Sequence, residues 1–337
     1  MSYSNSSLNS FASCMARYEH NYILHTPPCK PISPHLTFGI MAHDCLYKAG
    51  KLRDEAADGL LVPGDYQDVI PSEVLNLELK ATFGINSWEK YFTPVITQIA
   101  KYENDCVKEL EELNDGPVRI ERELKLQIEP ARLNDLCGTS LYKEPLVGII
   151  DLLLLTDNHA IILDYKFSSS RKTQDDFDLN SQLPLYAFFV NQLYNIPVRN
   201  IKYGYIDIPK KMSDTPAILS NGTLSRAKSA NITADFYKQA VIAVHGPDDP
   251  VYNCEPGGWY YDAYCAYTFN KPAYLSMQYC DETVYKNVMQ DLFNCAKMIE
   301  IMKQEKLPFL RKYDAYSCKD CEYLKACKPW LYCGGDE

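Results

Sequence analysis

Residues 146–166 read LVGIIDLLLLTDNHAIILDYK, two apolar runs joined by a turn-like TDNH. The runs, Leu146 to Leu155 and Ala160 to Lys166, are short, rich in Leu and Ile and bounded by turn residues, which predicts a buried β-hairpin. A carboxylate interrupts each run: Asp151 in IIDLLLL and Asp164 in IILDYK. Burying charge in such surroundings is costly. With residues 156–159 as the loop, Leu155 faces Ala160, and counting back along both strands sets Asp151 opposite Asp164, their Cβ atoms about 5 Å apart. Two like charges that close repel unless a divalent cation lies between them or one takes up a proton. Lys166, two residues past Asp164, shares its face of the strand, so its ammonium reaches a phosphate or an attacking water beside such a cation. An ordinary hairpin with solvent-facing acids is the plainer alternative, and the Ile and Leu flanking each Asp weigh against it.

Upstream, after Gly116-Pro117, the period is two: Leu124, Leu126 and Ile128 face one way and Glu123, Lys125 and Gln127 the other, a half-exposed strand. The front third is helical in pattern, over residues 7–25 (Leu8, Phe11, Met15, Tyr18), from Phe38 to about Ala57 and from Trp88 to Leu113. Pro27 to Pro34 ends the first element, and a loop with Pro63, Gly64 and Pro71 separates the others. Downstream, a helix is predicted from Asn180 to Tyr194, with Pro184 in its first turn where it removes no intrahelical donor. The strand IKYGYIDI follows. A last long helix runs from Glu282 to Gln304, with Val284, Val288, Leu292, Cys295, Ile299 and Met302 on one stripe. The organisation predicted is 1–115 a helical part, 116–209 a core, 210–258 a polar insertion and 259–337 a closing helix with a cysteine cluster.

At 337 residues the chain can hold two average domains or one core with insertions, and length alone does not decide. Hydrophobic residues at 46% and charged residues at 23% suffice for a sizeable core and exclude compositional disorder. The net charge of -10 does not advertise a nucleic-acid binder. Local clusters matter more, and Lys166, Arg171 and Lys172, then Lys202, Lys210 and Lys211, then Lys319, Lys325 and Lys328 are candidate basic faces, with scattered solvated lysines as the alternative. No apolar run approaches the roughly 20 residues of a membrane span, and MSYSNSSLNSF lacks the basic and apolar regions of a signal peptide, so no membrane partner and a reducing cytoplasm are expected. Thirteen cysteines, an odd number, then read as metal ligands where clustered and as small core residues where isolated.

GIID followed after thirteen residues by the Asp of DYK resembles the PD-(D/E)xK nuclease superfamily, in particular its RecB-like, CRISPR-associated-exonuclease-like branch. Gly39 to His43 looks like that branch's GxxxH motif on an early helix. Gln182 to Tyr186, QLPLY, looks like its QxxxY motif on the helix after the lysine strand. The resemblance implies an α/β, restriction-endonuclease-like core, a mixed central sheet flanked by helices. It implies Asp151, Asp164 and Lys166 as catalytic residues, with His43, Asp151, Asp164 and the backbone carbonyl of Tyr165 holding Mg2+ or Mn2+. Gln182 and Tyr186, an i, i+4 pair on one helical face, are expected to position DNA. Glu123 stands where some relatives carry an additional acid.

Near the C-terminus, Cys318-x2-Cys321-x5-Cys327 offers three thiolates at a spacing that wraps one metal centre. The resemblance supplies a fourth, Cys14, and implies a 4Fe-4S cluster in a C-terminal Fe-S appendage. Zinc on the same thiolates, and Cys29 or Cys333 in place of Cys14, are alternatives. Joining Cys14 to the trio closes a loop of almost the whole chain, so the centre would hold the ends together. The activity implied is exonucleolytic hydrolysis of DNA, single-stranded or with free ends, in recombination, repair or phage DNA processing inside a bacterial or phage-infected cell. No GxxxxGK[ST] motor motif is present, so a helicase or recombination partner would supply one. A non-catalytic DNA-binding or scaffold subunit is the rival from another class, opposed by the joint presence of His43, Asp151, Asp164 and Lys166.

Overall fold

The computed structural model describes residues 2–30, 33–56, 63–72, 77–168, 171–210, 221, 241–248 and 271–329. Most of the 210–258 insertion, and Cys333, lie outside the described residues. In chain order the elements are α1 (Asn5–Ser13), α2 (Met15–Tyr18) with a π-turn over Glu19–Ile23, α3 (Pro34–Glu55), α4 (Leu77–Phe83), α5 (Trp88–Glu111) and β1 (Arg119–Ile128). There follow α6 (Pro130–Cys137), β2 (Leu146–Leu155), β3 (Ala160–Ser168), α7 (Gln174–Leu179), α8 (Gln182–Tyr194), β4 (Ile201–Pro209), β5 (Tyr274–Tyr279), α9 (Glu282–Gln304), α10 (Ala315–Cys318) and α11 (Leu324–Cys327). No described helix is long and apolar enough to cross a membrane.

The five strands form one mixed sheet in the order β1-β2-β3-β4-β5. β3 and β4 are parallel and the other neighbours antiparallel. A parallel pair needs a crossover, which α7 and α8 provide. The central strands are apolar throughout because both faces are covered. Leu153, Leu155, Ile162, Tyr203 and Tyr205 pack with α1, α8 and α9, while Leu152, Leu154, Ile161, Leu163, Ile206 and Ile208 pack with α3 and α5. This is the mixed sheet between helical layers that the sequence implied.

The hairpin forms as read, with Leu155↔Ala160 the first pair beside a loop closed by Thr156 N–H donating to the His159 carbonyl at 2.9 Å. The backbone pairing runs only to Leu152↔Leu163, so Asp151 and Asp164 lie next in register, just past the last paired residues. On its other side, Asp151 falls between Arg122↔Leu152 and Leu124↔Ile150, opposite an unpaired Glu123 whose φ is 45°. The period of two slips at the same level in both strands. Ile150 packs in one core layer and Leu152 in the other, and Leu124 packs against the α8/α9 layer although Arg122 points to α3 and α5. The sheet thus opens around Asp151.

Five elements depart from the sequence reading. The first helix is broken at Cys14, whose φ of -162° and ψ of 107° are extended. β5, at the sheet edge, reads YLSMQY with every residue at least partly exposed, so it carries no apolar run to announce it. α4, α6 and α7, of 7, 8 and 6 residues, are too short to establish a periodic stripe.

Candidate active site

His43 stands on α3, which begins with Ser33 accepting from the Leu36 N–H and with Pro34 in its first turn. The helix brings the imidazole Nδ1 to 3.4 Å from Oδ1 of Asp151. The other oxygen of Asp151 accepts from the Tyr165 N–H at 2.8 Å, a side chain completing the contact between β2 and β3 where the backbone ladder has ended. Asp164 is buried, 2% exposed, and the Lys166 ammonium lies 2.5 Å from its Oδ2. His43, Glu123, Asp151 and Tyr165 line one cleft together with Leu46, Tyr47 and Arg122. His43 thus stands against Asp151, and Lys166 against Asp164, on neighbouring strands of the hairpin.

Gln182 and Tyr186 reach the same place from α8. Lys166 Nζ donates to Gln182 Oε1 at 2.9 Å, and Gln182 Nε2 donates to Tyr186 Oη at 2.7 Å. The Gln182 N–H is itself held by Oδ1 of Asn180 at 2.7 Å. Tyr186 is buried, so within this arrangement both motif side chains support the lysine.

Electrostatics follow from the crowding. Burial pushes the Asp164 carboxyl up, to about 6; Lys166 opposes that and the charge of Asp151 adds to it. Burial alone would lower the His43 pKa, but its bond to Asp151 and the charges of Asp151 and Asp164 leave it above the ordinary value. Glu123 is raised by burial and then by Asp151. Asp151 and Glu123 bring carboxylate oxygens to the cleft, hard donors of the kind Mg2+ and Mn2+ select, and the His43 imidazole, a borderline donor, lines it beside them with Asp164 buried behind, so the residues fit a divalent cation.

Behind the cleft lies a buried ionic group that the sequence reading missed. Arg122 donates to both oxygens of Asp54 and both of Glu103, each at 2.9 Å, and Arg53 lies 2.7 Å from Glu103. This ties α3, α5 and β1 together next to His43 and Glu123. A Cβ at Gly50 would lie 2.7 Å from Arg122 Nε, so glycine is needed there for the guanidinium to pass α3. One signal was available: Arg122 shares the parity of Leu124, Leu126 and Ile128, the inward face of the predicted strand.

The four cysteines singled out, Cys14, Cys318, Cys321 and Cys327, line one cavity of about 250 Å3 with Arg17, His20, Lys312, Tyr316, Tyr323 and Lys328 among its other walls. The break between α1 and α2 puts Cys14 there. Cys29 is exposed and outside that lining. Contacts between the chain ends surround the cavity: Arg17 to Glu322 at 2.9 Å, Cys29 N–H to the Glu322 carbonyl at 2.8 Å, and Tyr323 Oη to Asn21 at 2.8 Å. Thiolates around one chamber suit a soft metal centre.

Among the described residues no three His, Cys, Asp or Glu side chains are drawn tightly enough to enclose a metal ion; in the cleft the Lys166 ammonium stands against Asp164. No curated protein matches the chain. The family model of the PD-(D/E)XK nuclease superfamily, however, matches residues 2–328, spanning the early histidine, the acidic hairpin with its lysine, α8 and the cysteine-lined cavity, and the chain belongs to that superfamily.

Proposed function

We propose that this nuclease is a Mg2+- or Mn2+-dependent DNA exonuclease whose reacting centre is Asp151, Asp164 and Lys166. The observation that carries the reading is the convergence of Lys166 on buried Asp164, with His43 on Asp151 beside it. His43, Asp151, Asp164 and the Tyr165 carbonyl would hold the cation, with Glu123 as a further carboxylate. Such a cation, when bound, polarises a phosphate and acidifies its water. The chain's own contribution is electrostatic and positional. Lys166 offsets negative charge developing on the scissile phosphate. Gln182 and Tyr186 fix the lysine, and through it the register of the DNA strand. Asp151, pinned by the Tyr165 N–H, keeps one oxygen directed at the cleft.

The second centre is read as a 4Fe-4S cluster on Cys14, Cys318, Cys321 and Cys327, with zinc as the alternative. Support comes from the shared cavity and from the contacts that join the two ends of the chain around it. The C-terminal appendage, the boundaries at 115, 209 and 258, a cytoplasmic setting, and work beside a helicase or recombination partner in recombination, repair or phage DNA processing belong to the same reading. Digestion of end-labelled linear and covalently closed circular DNA in Mn2+ tests it, with Lys166→Ala as control. Loss of linear DNA alone supports an exonuclease, and cutting of circles makes it an endonuclease. Equal behaviour of wild type and Lys166→Ala leaves a DNA-binding subunit.

A further inference from the structure

Among the described residues two cations are buried, Arg122 and Lys328. Arg122 is matched by Asp54 and Glu103. Lys328 is 7% exposed, yet its partners are a sulfur and a ring: Nζ lies 3.2 Å from Sγ of Cys318 and 4.6 Å from the Tyr313 ring centroid. No described carboxylate pairs with it. The other cations lining the cavity are engaged elsewhere, Arg17 with Glu322 at 2.9 Å and Lys312 with Asp314 at 3.8 Å.

A buried ammonium without a counter-charge is strongly disfavoured, and a neutral thiol is a weak acceptor. The balance changes if the cavity holds four thiolates on a metal, because their charge outweighs that of a divalent ion or of an iron-sulfur core. Lys328, adjacent in sequence to Cys327 and directed at Cys318, then faces net negative charge. We propose that Lys328 is the counter-cation of a metal-thiolate centre in this cavity, and that its hydrogen bond to the Cys318 sulfur sets the reduction potential of that centre. The inference rests on the assignment of the four cysteines as ligands. A donor at a cluster sulfur, and a positive charge beside it, favour the more negative, reduced state and so raise the potential.

The test uses the full chain, reconstituted anaerobically with iron and sulfide, as wild type, Lys328→Met, Lys328→Gln and Lys328→Arg. Iron content, visible absorbance and midpoint potential are measured on each, with circular dichroism to check folding. The Met and Gln variants are expected to shift to more negative potential at unchanged iron content, with Arg close to wild type. Equal potentials in all four proteins overturn the proposal. If wild type takes up zinc but no iron, the iron-sulfur assignment fails by itself; faster loss of zinc to a chelator from Lys328→Met than from Lys328→Arg then supports the counter-cation role, and equal loss overturns it. A wild-type chain that retains neither metal also overturns it.

Discussion

Lys166 donates from Nζ to Oε1 of Gln182 at 2.9 Å, tying β3 to the first turn of α8. The amide is oriented by its two neighbours, since the ammonium can only donate and the Tyr186 oxygen accepts from Nε2. Gln182→Leu is therefore expected to lower the single-turnover rate about tenfold to a hundredfold, the usual effect of losing a residue that orients another. DNA affinity, measured by anisotropy in Ca2+, should hardly change. A large loss of affinity at an unchanged rate would mean that Gln182 grips DNA directly.

The guanidinium of Arg122 is shared between two carboxylates, and Glu103 is buried with it. Removing the cation leaves Glu103 facing only Arg53, an incompletely compensated buried charge. Arg122→Met should cost about 3–5 kcal/mol in urea unfolding, the range for breaking a buried pair from one side. The double change with Glu103→Leu should recover part of that loss, and a strictly additive double variant would argue against a coupled network.

The acidic hairpin was legible because Asp151 and Asp164 break apolar runs, and the loop of four residues fixes their register. The long helices α3, α5, α8 and α9 were legible from periodicity. What the residues did not disclose is the slip at Glu123 and Asp151, since alternation assumes an unbroken pleat and a single φ of 45° reverses it. The use of Gln182 was also hidden: an i, i+4 pair shows that two side chains share a face, but not what lies across from them. Lys328 read as one of several surface lysines because sequence carries no measure of burial at a chain end folded back on Cys14.

Asp207 lies opposite Lys166 in the β3/β4 register and is fully buried. Its Oδ2 accepts from the Lys172 N–H at 2.8 Å, while Oδ1 has no hydrogen-bond partner. Burial pushes the carboxyl up to about 6. Between its unfolded value near 4 and that figure, the folded chain holds a proton that the unfolded chain has released. This contribution to stability is complete below the unfolded pKa and is lost as pH rises through about 6. The shift corresponds to about 3 kcal/mol in full, of which about 1.4 kcal/mol separates pH 5 from pH 8. Asp207→Asn should reduce the difference between the two pH values in urea titrations by about 1.4 kcal/mol, leaving the share of Asp164, whose carboxyl is raised to the same value, and a difference that the substitution leaves unchanged would remove Asp207 as a source.

Glu123 combines two features that a purely structural residue has no reason to combine, a left-handed backbone at φ 45° and a carboxyl turned into the cleft against Asp151. A non-glycine residue in that region costs about 1–2 kcal/mol. Glu123→Gly should relieve that strain and raise the stability of the metal-free protein by about 1 kcal/mol, the rest being offset by the freer unfolded chain. The same variant should lose Mn2+-dependent cleavage. Glu123→Gln keeps the strained backbone and discards only the charge, so it should lose cleavage without gaining stability. Calorimetry and end-labelled digestion on the pair separate the two effects: a Glu123→Gln variant with full activity would reduce Glu123 to a backbone requirement of the opened sheet, and an activity loss in both variants assigns its carboxylate to the reacting centre.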